Sequence, residues 1–140
     1  MQMSTDSLRT AGIILLVYPT VVLGGVSILS LWISRRVPYY REHPLRQRLW
    51  AAGHAHAGVL LILSLVVLLL VDQADLTAGW QTVVRWTFPA AAILLPAAYF
   101  LSVLKRDAEQ PTPIINLAYV GAVSLTTGMV TLGVGLLRTL

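Results

Sequence analysis

Residues 51–71 read "AAGHAHAGVLLILSLVVLLLV". Two histidines, His54 and His56, open a stretch that holds no other ionisable side chain before Asp72. With Leu49 and Trp50 this gives an apolar block over 49–71, long enough for a helix that crosses the hydrocarbon of a bilayer, which takes about 20 residues. Three further blocks of the same kind lie at 12–33, 83–104 and 114–137. At a rise of about 1.5 Å per residue each is long enough to span.

The composition agrees. The chain of 140 residues is 56% hydrophobic and 11% charged, where a soluble domain carries roughly 25% charged residues. There is no cysteine, so disulfides, iron–sulfur clusters and thiolate zinc sites are excluded. The expected fold is an all-α polytopic membrane protein, one up-down bundle of four transmembrane helices filling residues 1–140. The intervening segments of fifteen, eleven and nine residues make successive helices antiparallel neighbours. The first block is too long for a signal-peptide core and reads as a retained span.

Charge sets an expected orientation. Segment 34–48 holds Arg35, Arg36, Arg41, Arg46 and Arg48, and segment 105–113 adds Lys105 and Arg106. The opposite side has only Arg9, Arg85 and Arg138, beside Asp6, Asp72 and Asp75. By the excess of basic residues on the cytoplasmic side, loops 34–48 and 105–113 face the cytoplasm of a bacterial cell and both termini lie outside. Trp32, Tyr39, Tyr40, Trp50, Trp80 and Trp86 cluster near span ends, as interfacial anchors do. The arginines follow membrane boundaries, so topology and anionic lipid explain them and nucleic acid is not an expected partner. His43, in the "EHP" of residues 42–44, reads as a solvated loop residue.

Small residues recur in the spans: Gly24 and Gly25, then Gly53, Ala57 and Gly58, then Gly121, Gly128, Gly133 and Gly135. They let membrane helices approach closely, and they also leave room for a flat ligand. Pro19, Pro89 and Pro96 are expected to kink their helices.

An ionisable residue inside a span is a functional candidate by default. His54 follows Arg48 by six residues, about 9 Å deeper along a helix. Desolvation there favours neutral imidazole, which is also the metal-binding form. Residues two apart are about 200° apart around a helix, so His54 and His56 point to opposite faces. They do not make the i, i+4 pair that grips one small ion, and the spans hold no Asp or Glu to add a ligand.

A heme needs only one or two axial imidazoles and an apolar slot. His54 and His56 are candidate iron ligands, with Gly53, Ala55 and Gly58 as the flat wall. The second axial ligand would be Met129 of the fourth span or a histidine of a second copy. The alternative is that either histidine hydrogen-bonds across the bundle, to Tyr18, Thr20, Ser27, Tyr119, Thr126 or Thr127.

The stretch "GHAHAGVLLILSL", followed by "WTFPAAAILLPAAYFL", resembles small uncharacterised four-helix membrane proteins of bacteria. It is more distantly similar to fragments of subunit I of the heme–copper oxidases. That resemblance implies heme b ligation at His54, with His56 as the alternative. It does not extend to the further histidines an oxygen-reducing site requires, which this chain lacks in its later spans. The expected function is a small, non-enzymatic membrane protein that binds heme b or serves as a redox-associated accessory subunit. It would sit in the lipid bilayer as a homodimer or within a larger membrane complex. A cofactor-free scaffold or assembly subunit is the alternative, and a small proton-coupled transporter a third. No catalytic set stands out.

Overall fold

The computed structural model describes residues 3–34 and 37–140. Arg35 and Arg36, counted above among the basic loop residues, lie outside the described residues. Helix α1 spans Thr5–Ile33, α2 Pro38–Arg41, α3 Pro44–Leu70, α4 Ala78–Leu101 and α5 Leu117–Leu137. A 3₁₀ turn, Val71–Gln73, prolongs α3, and another, Pro113–Asn116, leads into α5. Four of these helices are long and apolar enough to cross a membrane, as expected from the four apolar blocks.

The helices outrun those blocks because caps, and not hydropathy, set their ends. α1 begins at Thr5, seven residues before the apolar block, because Ser4 accepts a hydrogen bond from the Ser7 amide at 3.2 Å and Asp6 sits in the positive first turn. α3 begins at Pro44, whose ring presets the first helical φ. Segment 34–48 is therefore no open loop: Pro38–Arg41 forms α2 and its last five residues belong to α3. α4 ends at Leu101 and not Leu104, and Val103 is fully buried in the turn beyond it.

α4 is the hub. Half of its most apolar window is buried, against 33% for α3, 22% for α5 and 6% for α1. α3 and α5 each pack on α4, and α1 packs on α3 with a slight touch on α4. The core has two parts. One joins Ile14, Leu60, Leu61, Leu68, Ala91, Ala92 and Leu95; the other joins Val67, Val71, Ala74, Val84, Phe88 and Leu132. Outward faces keep large apolar side chains bare, Leu16 at 82% and Leu23 at 65% among them, a surface suited to lipid.

Two glycines of α5, Gly121 and Gly128, are spent on the α4–α5 seam. A methyl at Gly128 would lie 2.7 Å from the Phe88 ring and one at Gly121 2.9 Å from Leu95 Cγ. Close approach of backbones is what holds membrane helices together where lipid is as apolar as leucine.

Polar clamps pin each end of the bundle. At one end Arg46 is 1% exposed. Its Nε donates to the Val103 carbonyl at 3.0 Å, and its two Nη groups donate to the carbonyls of Tyr39 and Lys105. Its guanidinium also lies 3.6 Å over the Tyr39 ring. Tyr39 Oη donates to the Leu104 carbonyl at 2.6 Å, and Trp50 Nε1 to that of Phe100 at 3.3 Å. The carbonyls that a helix end leaves unpaired are thus satisfied by side chains of α2 and α3. At the other end Arg85 Nη2 pairs with Asp72 Oδ1 at 2.7 Å, the one ion pair among the described residues. Arg85 Nε donates to Ser7 Oγ at 3.0 Å, and the Ser4 amide donates to Asp72 Oδ2 at 2.8 Å. That end joins α1, the close of α3 and the start of α4, so successive spans alternate in direction.

Candidate functional site

α3 presents its two histidines to different neighbours, as their spacing requires. His56 turns toward α4. Its Nδ1 lies 2.7 Å from the Ala52 carbonyl, one turn back, and its ring centroid is 5.2 Å from that of Tyr99. A carbonyl oxygen only accepts, so Nδ1 carries a proton.

His54 turns toward α1. A methyl at Gly25 would lie 2.7 Å from its Nε2 and 2.8 Å from its Cε1. Glycine at 25 is therefore the condition for the imidazole edge to rest on the α1 backbone. His54 has no hydrogen-bond partner among the described residues. Three of the hydroxyls expected as cross-bundle partners are used locally: Thr20 donates to Val17, Ser27 to Leu23 and Thr127 to Val123, each to a carbonyl of its own helix.

Along this seam runs an open groove of about 490 Å³, walled by Tyr18, Val21, Val26, Ala55, Gly58 and Ile62 beside His54. It meets a second groove of about 430 Å³ that Trp32, Tyr40, Gln47, Arg48 and Ala51 line, Gly25 and Leu29 belonging to both. Tyr40, on α2 outside the spans, is 1% exposed, and burial pushes its phenol above the ordinary value.

The remaining candidates divide. Gly58 lies in the groove with His54. Gly53 does not: it is buried at the α3–α4 crossing, where a methyl would meet Phe100 at 3.1 Å and Tyr99 Cβ at 3.2 Å. Met129 lies on α5, 51% exposed. Its neighbour Gly128 meets α4 at Thr87 and Phe88, whereas Gly53 meets α4 at Tyr99 and Phe100. Twelve helical residues separate those levels, about 18 Å. Within one chain, then, Met129 and the histidines do not come together. No group of three or more His, Cys, Asp or Glu side chains converges among the described residues.

Sequence reading missed Arg46 and the Arg85–Asp72 pair as structural groups. Arg46 counted as a surface charge, and its one signal was a position inside the helix that Pro44 starts. Asp72 and Arg85 sit thirteen residues apart across a short turn, a separation that brings helix ends together without announcing a contact.

His54 on Gly25 is a cradle that a Cβ would fill, and the donor set beside it is an imidazole with no polar competitor in an otherwise nearly apolar groove. The residues present fit one imidazole ligand to a heme iron, and no second histidine or methionine lines the groove among the described residues. No protein-family model matches the chain, and no curated protein and no solved structure is similar to it.

Proposed function

We propose that this is a small integral protein of the bacterial cytoplasmic membrane that binds heme b through a histidine of α3 and serves as a redox-associated accessory subunit. The observation that carries the reading is His54: an imidazole without a hydrogen-bond partner, seated on Gly25 and facing a groove between α1 and α3. His54 would hold the iron, and Ala55, Gly58 and Val21 would wall the macrocycle. A heme b bound there supplies a one-electron carrier. His56 is the alternative ligand, since its Nδ1 bond to Ala52 fixes the ring and leaves Nε2 as the free donor. The second axial ligand comes from a second copy of the chain or another subunit of a membrane complex.

In this reading loops 34–48 and 105–113 face the cytoplasm and both termini lie outside. The excess of basic residues in those loops supports it.

The test is an absorption spectrum of the detergent-purified protein, oxidised and dithionite-reduced, beside His54→Ala and His56→Ala. A Soret band with sharp α and β bands on reduction, lost in one variant, is expected. A protein that stays colourless after hemin is added rejects the reading.

A second reading is a cofactor-free scaffold or assembly subunit. Gly121 and Gly128 of α5 favour it, because contact with α4 consumes them and leaves no space beside them for a flat ligand. In that case both histidine variants assemble into the same membrane complex as the wild type.

A further inference from the structure

At the end of the bundle opposite Arg46, α1 and α4 enclose a cavity of about 410 Å³ that the heme reading does not use. Its lining includes Asp6, Arg9 and Ile13 of α1 and Thr82, Arg85 and Trp86 of α4. Arg85 is 6% exposed, and its Nε and Nη2 are taken by Ser7, Ser4, Gln81 and Asp72. Its Nη1 has no partner among the described residues, and Asp72 already balances its charge. Asp6 and Arg9 are both exposed and carry opposite charge three residues apart on one helix. That spacing permits an ion pair, yet none forms between them among the described residues. Thr82 offers little, because its hydroxyl donates to the Ala78 carbonyl at 3.0 Å.

The cavity thus presents the Arg9 cation, the Asp6 anion and the two N–H groups of the spare Arg85 Nη1. An acid in the first turn of a helix also serves the helix dipole, but that role does not require it to line a cavity beside an unpaired arginine. Ile13 and Trp86, 48% and 55% exposed, border the same cavity on the outward side, where acyl chains would run.

We infer that the cavity between Asp6, Arg9 and Arg85 binds the zwitterionic headgroup of a phospholipid with a primary ammonium, phosphatidylethanolamine. Arg9 and the spare Nη1 of Arg85 donate to the phosphate oxygens, and the Asp6 carboxylate accepts from the ammonium. Phosphatidylcholine has no N–H to give Asp6, and phosphatidylglycerol has no cation for it.

The delipidated full chain in detergent is titrated with these three lipids, matched in acyl chains, and bound lipid is counted by native mass spectrometry. Retention of phosphatidylethanolamine about two- to five-fold above the other two is expected, the scale of exposed ion pairs. Asp6→Asn is expected to remove the preference, and Arg9→Gln to lower retention of all three. Both side chains lie clear of the Arg85 clamp, so the variants keep the fold, which unchanged helicity by circular dichroism verifies. Equal retention of the three lipids by the wild type overturns the inference, as does a preference that survives Asp6→Asn. Displacement of bound lipid by glycerophosphoethanolamine at equal concentration places the recognition in a soluble molecule and overturns the lipid assignment.

Discussion

Gly25 of α1 and His54 of α3 meet so closely that a single methyl at Gly25 would lie 2.7 Å from His54 Nε2. Real Cβ atoms do not approach a ring that closely, so one of the two must yield. Gly25→Ala is expected to rotate His54 out of the groove or to push α1 from α3, at a cost of about 1–3 kcal/mol as for other overpacked sites. If His54 holds a heme, hemin titration followed at the Soret band will show weakened binding in Gly25→Ala. In Gly24→Ala, whose added methyl meets nothing within 4 Å and lies outside the groove lining, binding should persist. Equal binding by Gly25→Ala and wild type would remove His54 as the ligand.

Arg46 closes the exit of α4 with three donated hydrogen bonds to carbonyls and a stacked tyrosine. Lysine has no planar fork and cannot serve three carbonyls in those directions. Arg46→Lys is expected to destabilise the protein by about 1–3 kcal/mol and Arg46→Ala by more, since buried carbonyls are then left unpaired. Thermal unfolding in detergent followed by circular dichroism measures both. Unchanged midpoints would mean that water replaces the guanidinium without cost.

The Arg85–Asp72 pair holds α1, α3 and α4 together at the opposite end. With side chains 6% and 10% exposed, removing one partner strands a buried charge. Asp72→Asn and Arg85→Met are each expected to cost about 3 kcal/mol, while the double variant costs less than their sum. The same unfolding assay, run as a double-mutant cycle, gives the coupling. Simple additivity would show the pair to be energetically idle.

Gly128 lets α5 lie against Phe88 and Thr87 of α4. Gly128→Val should separate the helices and lower stability by about 1–3 kcal/mol or more. Gly133→Val, where a Cβ meets nothing within 4 Å, should cost little. Comparing the two midpoints isolates packing from the general effect of a branched residue in a helix.

The chain has no cysteine, so orientation is directly accessible by placing one. With loops 34–48 and 105–113 cytoplasmic, Glu42→Cys and Asp107→Cys in intact cells should resist a membrane-impermeant maleimide, and Thr139→Cys should react. The reverse pattern would invert the topology.

The sequence by itself determined the number of spans, because burying about twenty apolar residues in lipid is a property of composition along the chain and needs no partner. It determined that His54 and His56 face different neighbours, because helical geometry alone separates positions two apart. It did not determine where the helices start, since Ser4 and Pro44 act through local backbone chemistry that hydropathy does not weigh. What each face meets was decided only by tertiary structure. Gly25, Gly53 and Gly58 look alike in sequence, yet one seats His54, one is closed by Phe100 and Tyr99, and one walls an open groove. Arg46 and Arg85 look like loop and boundary charges, yet both are buried, because the groups that satisfy them include carbonyls and hydroxyls 57 to 81 residues away in sequence. Pairing at such separations depends on how the helices pack, and no local pattern of residues encodes it.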